Sequence, residues 1–537
     1  MIEARSAAGL EGAIHTRRER VLLWTGVASL VALLLATAVM DRYATVSLVA
    51  VTAGLLLVVG PSWLLAWPTQ LGVIIAVILF IPIKRYTMGG GLGFQVEPYR
   101  VIVALVLALW WAALLVDPQT RARRVGVEGA AWCFGVAVLI SLLLNVREIN
   151  AAGLWGPIVK AMLFFASFFV VMYLAAGAVQ TRRQLDRILM LLVAGGAIVG
   201  LTAIWESRTG FNPFDQLDRV IPGIQLDPAG IPTTPGRDGR PRSYASAQHA
   251  IALGAALVML IPMGIYLYRR AKTRGGNGRL WLAAIAILGT GALATQSRTG
   301  VIMLLAELIA YLFMRRAETV RLLPALLPIL VVVQIVLPGT LGTIKRSFFP
   351  TEGSLVASEQ AEAGSDGSGR LADVGPSLDE WSQEPFFGQG FGTRLPSFRD
   401  GENRNDAKIL DDQWLTSLLE VGAAGVLALL WLFLRMSRRL AKRARGDPTD
   451  RGWLLSGLAA AIIAFVVGMF TYDAFAFIQV TFLAFITLGL SAALLAIEHP
   501  EEEVSRAGAG GKLGTAIRAA RHAAAQRGAA AARAGAR

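Results

Sequence analysis

The stretch RLADVGPSLDEWSQEPFFGQGFGTRLPSFRDGENRNDAKILDDQWLTSLLEVGAAGVLALLW, residues 370–431, passes from a polar loop straight into an apolar run. Its first part is rich in Gly, Asp, Arg and aromatic side chains. It closes the longest polar interval, 339–412, of an otherwise apolar chain. Its second part, from Gln413 on, begins a segment long enough to cross a bilayer core of about 30 Å. A loop suited to chemistry is thus joined to a membrane span. The rest of the chain reads as the body that holds this loop against a bilayer.

Composition points the same way. Of 537 residues, 55% are hydrophobic and only 16% charged, whereas a soluble protein carries about 25% charged residues. Apolar runs recur from end to end. The first begins near Val21, after Arg17, Arg18 and Arg20, with no small-residue cleavage pattern before Asp41 and Arg42. It reads as a retained span rather than a cleaved signal. About fourteen spans (12–14) are expected, at roughly 21–40, 44–62, 69–83, 99–116, 128–145, 155–176, 187–205, 247–268, 280–296, 300–314, 322–338, 413–434, 452–471 and 475–496. The expected fold is an all-α polytopic integral membrane protein with a large extracytoplasmic loop.

The net charge of +14 does not indicate nucleic acid. The positive residues sit in short clusters beside apolar runs and in the tail, a pattern that sets topology and attracts anionic lipid head groups. Clusters at Arg121, Arg123 and Arg124, at Arg182 and Arg183, at Arg269, Arg270, Lys272 and Arg274, at Arg315 and Arg316, and at Arg438, Arg439, Lys442, Arg443 and Arg445 fall on one side. Both termini share that side and are expected to be cytoplasmic. The expected parts are a cytoplasmic N-terminus 1–20, a bundle 21–338 containing an extracytoplasmic loop 206–246, the large loop 339–412, three helices within 413–496 and a basic tail 497–537. The tail reads as disordered, or as a weak basic amphipathic helix on anionic lipid. The single cysteine, Cys133, excludes an intramolecular disulfide and a Cys-rich metal site. It reads as a small buried hydrophobe.

Four signals could carry chemistry. Gln296-Ser297-Arg298-Thr299-Gly300 puts an arginine where one span meets the outer face and the chain turns back. Its planar fork suits a phosphate or diphosphate, although an arginine snorkelling at the interface has the same pattern. Arg240, Arg242, Gln248 and His249 precede a span on that same face, as a cationic anion site or as a solvated loop; His249 suits an interfacial histidine better than a base. Gly388, Gly390 and Gly392 alternate with Gln389 and Phe391 before Arg394, allowing close backbone approach to a ligand or simply a flexible turn. Asp411 and Asp412 lie nine and eight residues before Glu420, at the mouth of a span. They could supply a general base, and one of them could instead cap the helix. Glu420, inside the span, should face the protein interior. Glu307 and Lys160 are further intramembrane charges suited equally to packing or substrate contact, and Asp473 reads as a cap in a short outer turn.

Together these pieces resemble the O-antigen ligase/polymerase superfamily of bacterial envelope glycosyltransferases. The resemblance rests on Arg242-Ser243, on Ser297-Arg298-Thr299-Gly300, and on Arg370, Trp381 and Pro385 through Gly392 in the large loop. It continues with Asp411-Asp412 and with Glu420-Val421-Gly422 ahead of Gly425. The order and sidedness of these motifs match from about residue 70 to about 495. The resemblance implies a GT-C-like membrane body in the bacterial cytoplasmic membrane with an extracytoplasmic active site. It implies a polyprenyl-diphosphate-linked glycan donor, a glycan or lipid acceptor, and transfer without metal, nucleotide sugar or other cofactor. Surrounding membrane lipids and other polysaccharide-assembly proteins are the further partners it implies. Arg298 and Arg242 would hold the diphosphate, with Arg240, Arg370, Arg394, His249 and the glycines of the loop as further substrate contacts. The family's base is usually the histidine of a His-Asn pair. Asp411 falls at the histidine position and Asp412 at the asparagine position, a departure that is more like polymerases than ligases and leaves the acceptor open. Catalysis would then rest on Asp411, Asp412 and Glu420. A flippase or transporter is the rival of another class; it predicts two related halves and charges at mid-membrane, and no such halves are visible.

Overall fold

The computed structural model describes residues 66–88, 97–116, 120, 122–221, 224–232, 241–349, 374–394 and 411–498. The first two expected spans, Arg240, Arg370 and the basic tail beyond residue 498 lie outside the described residues.

The described chain is mostly helical. Helices α1 (Trp67–Phe80), α2 (Pro98–Val116), α3 (Glu128–Leu144), α4 (Val146–Ala151), α5 (Trp155–Ala178) and α6 (Arg182–Thr209) come first. They are followed by α7 (Ala250–Thr273), α8 (Arg279–Ala294) and α9 (Arg298–Met314). Short helices α10 (Arg316–Leu322), α11 (Leu326–Val336), α12 (Thr340–Phe348) and α13 (Val374–Trp381) lead to α14 (Gln413–Ala444), α15 (Asp450–Gly468) and α16 (Ile478–Glu498). Seven of these, α2, α5, α6, α7, α14, α15 and α16, are long and apolar enough to cross a membrane, and α1, α3 and α8 are shorter apolar helices. The expected span 322–338 is interrupted by a 3-10 turn, Leu323–Ala325, where Pro324 has no amide to continue a helix.

Within the bundle, burial is uneven. The apolar cores of α7 and α16 are 89% buried, whereas those of α2 and α5 are 28% and 33% buried. Small residues let the central backbones approach closely. At Gly489 on α16 a Cβ would lie 2.3 Å from the Met172 carbonyl of α5. One end of the bundle is tied by a buried carboxylate: Asp186 of α6 forms an ion pair with Arg270 at 2.5 Å and accepts from the Tyr266 hydroxyl at 2.6 Å. The other end carries the long connections and the candidate site.

Two expectations are corrected here. The fold is not purely α: Tyr86–Met88 (β1) pairs antiparallel with Ile224–Leu226 (β2), Tyr86 opposite Leu226. Three-residue strands are too short to show an alternating pattern. Cys133 is exposed beside Trp132 on the outer surface of α3, not buried; an apolar run without a strong stripe does not say which face turns inward.

Candidate active site

One side of the site is a pair of turns held by buried polar side chains. Arg85, fully buried just before β1, pairs with Asp215 at 2.6 Å and donates to the Ala247 carbonyl at 2.7 Å. It donates to the Ala245 carbonyl as well, and that oxygen also accepts from Asn212 Nδ2 at 3.0 Å. The Glu206 carboxylate, at the end of α6, accepts from the amides of Ala245 at 2.8 Å and Tyr244 at 3.2 Å. The Tyr244 hydroxyl donates to Asp215 at 3.0 Å; burial, then the Asp215 charge, push this phenol up. The network fixes Ala245 at φ 41, a conformation an alanine does not adopt unaided. Arg242, just before this turn, is buried and donates from Nε to the Thr295 carbonyl at 3.2 Å. Thr295 opens the sharp turn from α8 to α9, where Gln296 has φ 50 and Arg298 becomes the first residue of α9. The two arginines are thereby brought to the same turn, with side chains almost withdrawn from solvent (8% and 7% exposed).

The other side is a broken helix. At Gly422 the backbone of α14 has φ 64 and ψ −171, outside helical geometry. The carbonyls of Leu419 and Glu420 would ordinarily accept from Ala423 and Ala424. They accept instead from the amides of Gln389 at 2.8 Å and Gly390 at 3.0 Å. The amides of Ala423 and Ala424 in turn donate to the Pro385 carbonyl at 2.9 Å and the Phe386 carbonyl at 3.1 Å. The loop thus takes over both halves of the broken ladder. Such a contact requires glycine: a Cβ at Gly388 would lie 2.4 Å from the Leu419 oxygen, and one at Gly422 would lie 2.3 Å from the Phe386 carbonyl. Beneath, Ser141 donates to the Glu420 carbonyl at 2.6 Å, and Asn145 Nδ2 donates to the Gly388 carbonyl at 2.8 Å. The Glu420 side chain is buried, as expected, and its carboxylate faces the Arg394 amide at 3.4 Å. The Arg394 guanidinium pairs with Glu380 and bonds Gln389 Oε1 at 2.9 Å.

The turn between α15 and α16, residues 469–477, joins the two sides. Gln413 donates from its backbone to the Met469 carbonyl at 2.9 Å and accepts from the Phe475 amide at 2.7 Å. Gln248 accepts from the Ile478 amide at 2.7 Å, and the His249 ring stacks on Phe477. Thr471 donates to the Thr299 hydroxyl at 2.9 Å, next to Arg298. Asp473 sits on this turn, half-buried. Burial first, then the charge of Asp411 and more weakly that of Asp412, push its carboxyl up to about 7, against the Ala476 amide and Lys84.

The expected residues among the described ones each have a definite place. Asp412 caps α14, accepting from the amides of Trp414 at 2.8 Å and Leu415 at 3.1 Å. Asp411 remains exposed at the mouth. His249 caps α7 through Nδ1, accepting from Ile251 at 3.2 Å. The close approach permitted by Gly388 is to α14 of the same chain, whereas Gly390 packs against Ile149 of α4 and Gly392 against Ile158 and Ala161 of α5. Asp473 stands at the N-terminal cap position of the 3-10 turn Ala474–Ala476, with the Ala476 amide opposing the rise of its carboxyl. The charge of Asp411 reaches it across 62 residues of chain, which no local pattern announces. Arg85, Glu206 and Asp215 were likewise invisible as a group, being separated by more than a hundred residues in the case of Arg85.

Residues 283–430 match the family described as O-Antigen ligase. The matched segment runs from α8 through the Arg298 turn and the glycine loop to the broken part of α14. No curated protein matches the chain.

Proposed function

We propose, from the match of residues 283–430 to the O-Antigen ligase family, that the chain transfers a polyprenyl-diphosphate-linked glycan at the outer face of the bacterial cytoplasmic membrane, polymerising lipid-linked repeat units. An acceptor hydroxyl attacks the anomeric carbon, and the bond from that carbon to the diphosphate oxygen breaks. Polyprenyl diphosphate leaves with the electron pair, and the hydroxyl proton passes to a carboxylate. Arg242 and Arg298 are assigned to the diphosphate, where fixed cations in a water-poor setting stabilise the charge that develops on the leaving oxygen. The observation that carries this reading is the convergence of these two buried arginines at one turn, with the buried hydroxyl of Ser297 between Gln296 and Arg298. That hydroxyl has no hydrogen-bond partner among the described residues. A buried polar group of this kind calls for a partner, and a diphosphate supplies an acceptor for it.

The base is assigned to the Asp411–Asp473 pair. Asp412 is engaged as a helix cap and Glu420 is embraced by the glycine loop. Asp473, raised to about 7 by burial first and by the charge of Asp411 second, holds a proton near neutral pH, and a base works best when its pKa lies near the working pH. Arg242, Arg298, His249, Arg394, Arg240, Arg370 and the glycine loop remain substrate-side assignments within this reading. The second reading, ligation of the glycan onto a lipid or protein acceptor, is favoured by the description of the matched family. Deleting the gene and sizing the surface glycan tests both: shortened chains support polymerisation, and intact chains left unattached support ligation. Unchanged length together with unchanged attachment refutes the reading. Asp411→Asn should abolish transfer while leaving donor binding intact.

A further inference from the structure

A second group of cations lies within electrostatic reach of Asp473. Lys84 adjoins Arg85 in the chain, but it turns toward α2 and α5 rather than toward the Ala245 turn. It lies within electrostatic reach of Asp473, Arg100 and Lys160. The backbone that presents it is strained, with φ 65 at a lysine, and it is braced from two directions. The Lys84 amide donates to Glu97 Oε2 at 2.6 Å, and the Lys84 carbonyl is crowded by the 228–230 turn, where a Cβ on Gly230 would lie 2.0 Å away. Strain of this kind is kept where a side chain must be aimed. Arg100 is steadied by Glu97 and rests on the Phe164 ring of α5, 4.9 Å from its centroid. Lys160 stands one helical turn before Phe164. Both lysines are exposed, and among the described residues neither ammonium group makes a hydrogen bond or ion pair. Three cations thus converge with a single carboxylate, Glu97, bound into them, between the two helices whose apolar faces are least covered by protein.

We propose that Lys84, Arg100 and Lys160 form a second diphosphate site, which takes the lipid-linked acceptor while the Arg242–Arg298 site holds the lipid-linked donor. Ammonium and guanidinium groups gathered at one point suit a multiply charged phosphate group. The uncovered flanks of α2 and α5 leave room beside them for a polyprenyl chain. Asp411 and Asp473 would lie between the two diphosphates, where an acceptor hydroxyl must lose its proton. The inference rests on the donor assignment above, and it selects polymerisation, in which donor and acceptor are both diphosphate-linked.

The test is native mass spectrometry of the full chain titrated with a short-chain polyprenyl diphosphate, beside phosphatidylglycerol as the competing lipid phosphate. Wild type should bind two equivalents. Lys84→Ala with Lys160→Ala should bind one, with the second at least roughly tenfold weaker. Lys84→Arg with Lys160→Arg should keep both. Arg298→Ala should lose the other equivalent. Because both lysines are exposed, the thermal unfolding of the double variant should match wild type, so a lost equivalent reports on binding. The proposal is overturned if the double alanine variant still binds two equivalents, if wild type binds only the Arg298-dependent one, or if phosphatidylglycerol displaces the lysine-dependent equivalent at equal concentration. Loss of the lysine-dependent equivalent alone, with Arg298→Ala unaffected, supports this site and overturns the donor assignment instead.

Discussion

The Arg298 side and the Glu420 side of the site differ in what fixes the backbone. Around Arg242 and Arg298 the turns are held by side chains: Arg85, Glu206, Asp215 and Asn212 bond to backbone groups of residues 244–247 or to one another. Around Glu420 the helix break is held by backbone groups exchanged with the loop, and the requirement falls on residues that have no side chain, Gly388 and Gly422. The first arrangement is vulnerable to losing a group and the second to gaining one. A charge-binding turn needs a rigid polar frame, whereas a buried carboxylate beside a broken helix needs close packing of main chain.

That contrast can be broken at several points, the largest effect first. Arg85→Ala should destabilise the protein by about 3 to 5 kcal/mol, because it strands Asp215 and two carbonyls in a buried network; thermal unfolding in detergent measures it. Arg298→Ala should instead leave unfolding nearly unchanged and lower the transfer rate by roughly 10² to 10³, read as release of polyprenyl diphosphate. Gly422→Ala should cost about 1 to 3 kcal/mol from φ strain alone, with loss of transfer as Glu420 shifts. Ala424→Gly, in regular helix just beyond the break, should cost no more than about 1 kcal/mol and keep activity. Equal effects for these two would remove the distinction drawn at the break.

A further effect concerns pH. Asp473 titrates at about 7 in the folded protein against an ordinary 3.8. As a base it must be deprotonated, so transfer should rise as pH passes through about 7, and the residual activity of Asp473→Asn should lack this limb. For stability the sign is opposite. Below the ordinary value both folded and unfolded forms are protonated; between the two values only the folded form holds the proton. Stability should therefore fall as pH rises from about 4 to about 7, and Asp473→Asn should flatten that slope.

Much of the fold was legible because membrane spans are written locally, as apolar length and basic flanks. The helices at 98–116, 155–178, 250–273 and 478–498 fall within about five residues of their expected positions, and the helix at 413–444 begins where expected but runs ten residues past the expected end at 434. The Ser297–Gly300 turn and the cap at Asp411-Asp412 were legible for the same reason. The partner of the glycine loop was not: alternate glycines announce a close approach without saying to what. Asp473 was missed because the two carboxylates that push it up reach it from another helix. Lys84 carried no signal at all, since a lysine with positive φ looks like any other lysine in a sequence.

The most direct test is reconstitution of the full chain in proteoliposomes with a polyprenyl-diphosphate-linked oligosaccharide as the only glycan substrate, following free polyprenyl diphosphate and glycan size by mass spectrometry. The account predicts that wild type releases polyprenyl diphosphate as longer lipid-linked glycan appears, and that Arg298→Ala binds membranes normally but releases almost none. Release that is equal in wild type and Arg298→Ala would contradict it.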